Sequence, residues 1–144
     1  MEHKKSKLVL ICGCSKLGAH IAQYYSQKGR SVTILDPDKI AFAKLPEDFS
    51  GRTAIGDATD IDVMRYFGAE KADIIVAATR KDNTNILVSE MASIIFETPK
   101  IYARLNDEDK AELVKEHENI RVLSPFLLCM KEFAHIESEG DFDE

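Results

Sequence analysis

The sequence predicts an α/β fold built on a doubly wound parallel sheet. Short apolar segments alternate with longer amphipathic segments along the 144 residues, which is the pattern of strands joined by crossover helices. The first and fourth apolar runs are continuous, as in strands that helices cover on both faces. A glycine-rich turn joins the first strand to the first helix. These observations predict a Rossmann-like single domain with the strand order 3-2-1-4-5-6.

Six short apolar runs are predicted to form the strands of this sheet. They are Leu8–Cys12, Val32–Leu35, Arg52–Ile55, Ile74–Ala77, Ile101–Arg104 and Val122–Leu123.

The helices are predicted from apolar residues at helical spacing. In the first helix, Leu17, Ile21 and Tyr25 share one face, and Gly29 follows as a C-cap. The last helix follows Pro125, with Ser124 as its N-cap. The predicted helices are Leu17–Lys28, Lys39–Leu45, Ile61–Phe67, Asn85–Phe96, Glu108–Lys115 and Phe126–Ile136.

The size and charge of the chain limit the classes of protein that it can be. A length of 144 residues suits one domain, which we place at residues 1–136, and the acidic tail Glu137–Glu144 is expected to be frayed. The net charge of −6 disfavours a nucleic-acid binder, because such proteins usually carry a basic face. No apolar run approaches the ~20 residues that span a bilayer, and the first residues do not resemble a signal peptide. We therefore expect a cytoplasmic protein.

The three cysteines, Cys12, Cys14 and Cys129, have no disulfide spacing, which fits a reducing compartment. Cys12 and Cys14 flank Gly13 and raise the question of a metal or redox site. No second cysteine pair and no nearby histidine completes such a site. We therefore predict that these thiols are buried packing residues.

The segment Leu8–Gly18 is a strand that runs into an incomplete dinucleotide-binding turn. Gly13 and Gly18 occupy the first and third glycine positions of that turn. The first allows the tight turn and the third allows close packing of the helix on the sheet. The helix N-terminus that follows favours a phosphate. The position of the second glycine is occupied by Ser15.

Asp36 ends the second predicted strand, about 20 residues after the glycine-rich turn. A carboxylate at that position accepts hydrogen bonds from the ribose hydroxyls and repels a 2′-phosphate. The sequence therefore favours an unphosphorylated adenosine ribose and disfavours NADP.

Ser15 and Lys16 modify the expected phosphate site. A serine keeps its backbone N–H donor but adds bulk, at a cost of ~1 kcal/mol if a positive φ is needed there. Its hydroxyl can instead cap the helix or donate to a phosphate oxygen. A mononucleotide such as AMP or ADP tolerates this serine more easily than a dinucleotide does. Lys16 either adds a positive charge at the phosphates or is an exposed residue of the first turn.

Polar residues also follow the third, fourth and fifth strands. Asp57 and its neighbours lie where an adenine edge is expected, although Asp57 can also cap the helix that begins near Ile61. Thr79, Asp82 and Asn85 follow the fourth strand near the switch point, and helix capping alone explains one of them. Arg104 ends the fifth strand, where it can reach an anionic ligand or an acidic partner.

Six segments, in order along the chain, together carry a family resemblance. They are Cys-Gly-Cys-Ser-Lys-Leu-Gly, Leu-Asp-Pro-Asp, Ile-Gly-Asp-Ala-Thr-Asp, Val-Ala-Ala-Thr-Arg-Lys-Asp-Asn-Thr-Asn, Ile-Tyr-Ala-Arg-Leu-Asn-Asp and Leu-Ser-Pro-Phe-Leu-Leu. These segments resemble successive motifs of the TrkA-type, or KTN/RCK, N-terminal domain family, which regulates potassium uptake systems and potassium channels. The resemblance covers roughly residues 7–136.

The resemblance implies a cytosolic domain that binds an adenine nucleotide (AMP, ADP or ATP) or NAD(H) and assembles as dimers or rings. Such assemblies gate a membrane potassium-translocating subunit and so lie against the inner face of the membrane. The family commonly carries a second, C-terminal ligand-binding domain. We expect either that a separate regulatory chain supplies this domain or that regulation proceeds without its ligand.

The resemblance also implies roles for individual residues. Gly13, Lys16, Leu17 and Gly18 would contact phosphates, Asp36 the ribose, and Asp57 and Ala58 the adenine. Lys16 replaces the frequent arginine of the family, and Ser15 its usual glycine.

Three functions follow as hypotheses. The first is a nucleotide-binding regulatory subunit of a potassium transport system, without catalytic turnover. Its subunit contacts would come from helices such as Phe126–Ile136, whose apolar stripe can equally be core. The second is an NAD-dependent oxidoreductase, for which no histidine is well placed, since His3, His20, His117 and His135 lie near a terminus or on predicted helices. The third is a Rossmann scaffold that binds only a protein.

Overall fold

Six parallel strands form a single sheet in the order β3-β2-β1-β4-β5-β6, which confirms the predicted fold and strand order. The structure, a computed structural model, describes residues 8–140. The strands are β1 (Leu8–Cys12), β2 (Ser31–Asp36), β3 (Arg52–Ile55), β4 (Ile74–Ala77), β5 (Lys100–Arg104) and β6 (Ile120–Leu123). Cys12 pairs with Leu35 on one side and with Ala77 on the other. The carboxyl ends of β2, β1 and β4 therefore lie side by side.

Three strands are longer than their apolar runs predict. β2 includes Ser31 and Asp36, β5 begins at Lys100, and β6 begins at Ile120. Asp36 is part of β2 because its backbone pairs with Ile55 of β3. Strand limits follow backbone pairing, which polar residues join as readily as apolar ones.

Four α-helices connect or follow the strands: α1 (Lys16–Gln27), α2 (Ile61–Tyr66), α3 (Asp82–Glu90) and α4 (Pro125–Glu139). Ser15 is the N-cap of α1, and Gly29 lies just beyond the last turn with a φ of +78°. Ser124 is the N-cap of α4, as predicted. α4 continues three residues past its predicted end at Ile136, into the predicted acidic tail, whose residues 141–144 lie outside the described range.

The predicted helices Lys39–Leu45 and Glu108–Lys115 are wrong in type and length, because both segments are short 3₁₀ helices, Lys39–Lys44 and Glu108–Leu113. Leu45 precedes Pro46, which favours an extended backbone and ends the first of them. The predicted helix Asn85–Phe96 begins earlier, as α3, and changes to a π-helical turn over Met91–Ile95. A further 3₁₀ turn, Ala69–Lys71, was not predicted.

Two apolar cores cover the two faces of the sheet. Leu10, Cys12 and Ile75 point into one core, which α2 and α3 cover, while Val9 and Ile11 point into the other, beneath α1. This division follows from the alternation of side chains along each strand. It explains why β1 and β4 are apolar throughout, as predicted.

α4 follows β6 without packing into either core. None of its residues is buried, and Phe126, Leu127, Met130 and Phe133 are each between 47% and 59% exposed. The apolar stripe of this helix is therefore not core within the described residues. Over residues 8–140, no helix is both long and apolar enough to cross a membrane.

The close packing of α1 on the sheet gives a stability prediction. An added Cβ at Gly18 would overlap the carbonyl oxygen of Gly13, so Gly18→Ala forces the backbone apart. We expect the free energy of unfolding to fall by roughly 1–3 kcal/mol, the usual cost of overpacking. Urea denaturation followed by circular dichroism measures this loss.

Gly29→Ala is the matched control for that measurement. Unlike Gly18, Gly29 has a positive φ, and an added Cβ there meets nothing within 4 Å. We expect it to lose only about 1 kcal/mol through backbone strain. Equal losses for the two variants would contradict the tight contact at Gly18.

Candidate nucleotide-binding site

A cavity of about 580 Å³ lies at the carboxyl edge of the sheet, where β3, β2, β1 and β4 end. This is the switch point at which doubly wound folds bind ligands. Six of the twelve residues predicted for the site line this cavity: Gly13, Ser15, Asp36, Asp57, Ala58 and Thr79. The other six, Lys16, Leu17, Gly18, Asp82, Asn85 and Arg104, lie outside its lining.

Gly13 allows the turn after β1 to approach the end of β4. Its φ is +107°, and an added Cβ would lie 2.7 Å from the backbone nitrogen of Thr79. Its own N–H donates to the carbonyl of Leu35 at 2.8 Å, which joins the turn to β2. Gly13 therefore brings the ends of three strands together. Gly18 does not line the cavity, but its missing side chain allows α1 to pack against this turn.

Ser15 connects α1 to β4 through its hydroxyl. The hydroxyl donates to the carbonyl of Ala78 at 2.6 Å and accepts from the N–H of Gly18 at 3.1 Å. Its φ is −79°, so the positive φ that a serine would strain is not needed here. Of the alternatives predicted for this hydroxyl, the structure shows helix capping. The shift towards a mononucleotide at Ser15 stays a prediction, carried by the bulk of the side chain alone.

Asp36 is held at the end of β2 by two backbone donors. The N–H of Cys14 donates to one carboxylate oxygen and the N–H of Asp38 donates to the other, each at 2.8 Å. Each oxygen retains the capacity to accept a second hydrogen bond. The carboxylate is therefore oriented before any ligand arrives, and it faces the cavity.

Asp57 lies in the turn after β3 together with Ala58. One oxygen of its carboxylate accepts from both the N–H and the hydroxyl of Thr59, at 2.9 and 2.7 Å. These two bonds, the backbone one first, hold the pKa of Asp57 below its usual value. The predicted alternative that Asp57 caps the next helix is wrong, because Asp60 is the N-cap of α2.

Asn85 is buried and fixes the loop that follows β4. Its amide oxygen accepts from both the N–H and the hydroxyl of Thr79, at 3.0 and 2.7 Å. Its amide nitrogen donates to the carbonyls of Thr79 and Arg104, at 3.0 and 2.8 Å. Every hydrogen-bonding atom of this side chain is thus used within the protein. Asn85 positions Thr79 and has no free group to offer a ligand.

Asp82 and Arg104 also have structural partners. The carboxylate of Asp82 accepts from the N–H groups of Asn106 and Asp107, at 2.8 and 2.9 Å, and so ties the start of α3 to the loop after β5. The guanidinium of Arg104 donates to the side chain of Asn106 at 3.0 Å. The N-cap residue of α3 is Lys81, whose side chain makes no capping hydrogen bond. Neither Thr79 nor Asn85 is therefore a helix cap, as one of the predicted alternatives had it.

The cavity is also lined by three cationic side chains that were not among the residues predicted for the site: Lys44, Arg80 and Lys81. Among the described residues, none of the three forms an ion pair with a carboxylate. The carboxylates in the same lining are engaged by backbone N–H groups, Asp38 through the N–H of Ile40 at 3.0 Å. The cavity therefore offers unpaired positive charge to an anionic ligand, beside carboxylates whose positions are fixed.

The sequence did not predict that Lys44 lines the cavity. Lys44 ends the 3₁₀ helix Lys39–Lys44, and the type of helix determines the direction in which this side chain points. Arg80 and Lys81 did carry a signal, since they directly follow the polar end of β4. Lys16, the predicted phosphate-binding cation, is exposed on α1 outside the cavity lining.

The two thiols beside Gly13 are buried. Burial raises the pKa of Cys12 to about 12, and its thiol contacts the sulfur of Met64. Burial also raises the pKa of Cys14; Lys44 opposes this effect and Asp36 adds to it. Both thiols are therefore protonated at neutral pH. No group of three potential metal-ligating side chains occurs among the described residues.

A family model, described as the TrkA-N domain, matches residues 9–125. The Trk system potassium uptake protein TrkA of Streptomyces coelicolor is 33% identical over 105 residues, which are 73% of this chain and 47% of that protein. The chain thus spans about half the length of this curated relative.

Solved structures share the fold. The RCK domain of GsuK superposes with a TM-score of 0.78 at 20% identity, covering 97% of this chain and 30% of that one. GsuK bound to ADP has a TM-score of 0.75 at 21% identity, covering 91% and 34%. The GsuK channel bound to NAD has a TM-score of 0.68 at 17% identity, covering 87% and 22%.

The double role of the Ser15 hydroxyl gives a second stability prediction. Ser15→Ala removes the helix cap and leaves the carbonyl of Ala78 without its donor, so we expect a loss of about 1–2 kcal/mol in the free energy of unfolding. Ser138→Ala, on the exposed surface of α4, is the control and should change stability by less than about 0.5 kcal/mol. Indistinguishable urea midpoints for the two variants would contradict the role given to Ser15.

Proposed function

Since the chain belongs to the TrkA-N family, we propose that it is a cytosolic, nucleotide-binding regulatory subunit of a potassium uptake system or channel. The observation that carries the proposal is the cavity at the switch point. There an oriented carboxylate and three cations, none of which is paired with a carboxylate of residues 8–140, face the same space. A ribose on Asp36 and phosphates over the turn after β1 match this arrangement of charge. The ADP and NAD in the GsuK structures support an adenine nucleotide or NAD(H) as the ligand class.

The proposed regulation rests on the position of the cavity between the two halves of the sheet. A nucleotide that contacts β2 on one side and β4 on the other favours one arrangement of the domain and its neighbours. Such a ligand shifts the equilibrium only by its difference in affinity between the two arrangements, typically ~1–3 kcal/mol. A membrane potassium-translocating subunit would receive this bias at the inner face of the membrane.

Self-association is the second part of the proposal. The apolar stripe of α4, formed by Phe126, Leu127, Met130 and Phe133, is exposed in the single chain. Contiguous exposed apolar surface of this kind is typical of protein interaction sites. We infer that this stripe is covered in a dimer or ring, or by the separate regulatory chain that carries a C-terminal domain.

The oxidoreductase hypothesis rests on the same cavity, because Asp36 suits the ribose of NAD as well as that of ADP. His20 and His135 lie on α1 and α4 as predicted, whereas His117 lies in the turn before β6 and not on a helix. His117 contacts Glu90 there at 2.9 Å. None of these three histidines lines the cavity. His3 lies outside the described residues. Reproducible turnover of NADH with a panel of carbonyl substrates would contradict the regulatory proposal.

The ribose contact is tested with Asp36→Asn. We expect the wild-type protein to bind ADP about tenfold more tightly than 2′-deoxy-ADP or 3′-deoxy-ADP, because each deoxy analogue loses a hydrogen bond to a charged group. The variant should bind all three nucleotides equally, since its neutral amide cannot make the charge-assisted hydrogen bond to the ribose hydroxyls. Isothermal titration calorimetry measures each affinity.

Asp109→Asn, at an exposed carboxylate on Glu108–Leu113, is the control and should keep the wild-type preference. A preference for ADP over both deoxy analogues that survives in Asp36→Asn would rule out the ribose role. In cells that depend on this chain for growth at limiting potassium, Asp36→Asn should also alter the rate of potassium uptake. Unchanged uptake, with nucleotide binding lost, would contradict the regulatory role.

The α4 stripe is tested by changing Phe133 to Glu. A charge in an apolar contact is costly, so we expect the variant to sediment as a monomer where the wild-type protein forms dimers or larger assemblies. Lys131→Glu places the same side chain on α4 outside the stripe and should leave the assembly intact. A wild-type protein that sediments as a monomer at all concentrations would contradict self-association through α4.

A further inference from the structure

Two adjacent cations, Arg80 and Lys81, line the cavity at the end of β4. β4 lies on one side of β1, and β2, which carries Asp36, lies on the other. The two cations and the carboxylate therefore flank the turn after β1 from opposite sides. No ion pair with a described carboxylate neutralises either cation.

The loop that carries these cations is held in place from within the protein. The hydroxyl of Thr79 donates to Asn85 at 2.7 Å, and the N–H of Lys81 donates to that hydroxyl at 3.2 Å. Asn85 also bonds the carbonyl of Thr79, so the backbone before Arg80 is fixed. Two positive charges are thus presented to the cavity from an ordered backbone, which lowers the entropy lost when a ligand binds.

The order of groups along an adenine nucleotide determines what meets these cations. With the ribose at Asp36 and the first phosphate over the turn after β1, the next group of the ligand lies towards β4. AMP has no further group. ADP and ATP place a terminal phosphate dianion there. NAD⁺ places there a diester phosphate with a single negative charge, followed by a neutral ribose and a positively charged nicotinamide ring.

We propose that Arg80 and Lys81 bind the terminal phosphates of a nucleoside di- or triphosphate, and that they make this cavity select such a ligand over AMP and NAD⁺. The inference rests on the proposed nucleotide-binding function and specifies the ligand of the same site. Charge-assisted bonds from a guanidinium and an ammonium to phosphate oxygens supply the attraction. The singly charged diester phosphate of NAD⁺ attracts these two cations less strongly than a terminal phosphate does, and the cations repel its oxidised nicotinamide ring.

The test compares the affinities of ADP, AMP and NAD⁺ for the wild-type protein and for Arg80→Gln/Lys81→Gln by calorimetry. We expect ADP to bind the wild-type protein at least about tenfold more tightly than AMP or NAD⁺. In the double variant, ADP affinity should fall about tenfold or more, AMP affinity should change by less than about threefold, and NAD⁺ affinity should fall less than ADP affinity does.

Arg52→Gln/Lys71→Gln is the matched control, because it removes the same two residue types from exposed positions. Arg52 begins β3 and Lys71 precedes β4, so both lie at the opposite edge of the sheet. This variant should keep the wild-type order of affinities, and denaturation curves of both variants verify that they are folded.

The outcomes separate this inference from the proposed function. Unchanged ADP affinity in Arg80→Gln/Lys81→Gln, or an equal loss for all three ligands, would overturn the assignment of terminal phosphates while leaving nucleotide binding in place. Tighter binding of NAD⁺ than of ADP by the wild-type protein would also overturn it. Binding of none of the three by the folded wild-type protein would overturn both proposals.

Discussion

The close contact between the turn after β1 and the end of β4 is the constraint on which the rest of the structure depends. Gly13 has no Cβ because the backbone of Thr79 occupies that space, and the Ser15 hydroxyl donates to the carbonyl of Ala78. Asn85 then holds Thr79 in place from α3. This contact joins the two halves of the sheet at the switch point and gives the cavity an ordered base.

The electrostatic character of the cavity follows from how its charges are used. Asp36 accepts from the N–H groups of Cys14 and Asp38, and Asp57 accepts from the N–H and the hydroxyl of Thr59, so both carboxylates are held by hydrogen bonds that involve no cation. The cations of the lining remain without ion pairs to described carboxylates. A chain with a net charge of −6 therefore still places three cationic side chains around one cavity. Local charge placement, rather than net charge, decides which ligand such a site accepts.

The candidate site could be predicted from the sequence where a residue's role depends on its neighbours in the chain. Gly13 and Asp36 follow strands at fixed spacing, and the parallel sheet brings both to the same edge. Asn85 and Asp82 were assigned to the site on the same reasoning, yet their polar atoms are used by Thr79 and by the loop after β5. A polar residue at the end of a strand can bind the protein as well as a ligand, and only the three-dimensional contacts distinguish the two.

The sequence by itself determined the α/β class and the strand order, and it predicted the edge at which the candidate site lies, because hydrophobic periodicity and turn chemistry are local properties. The tertiary structure decided which cations face the cavity. Lys16 is close to Gly13 in sequence but lies on the exposed side of α1, while Lys44 reaches the cavity from a 3₁₀ helix that follows β2. It also left the apolar stripe of α4 uncovered. Both outcomes depend on how separate elements pack, which no local pattern encodes.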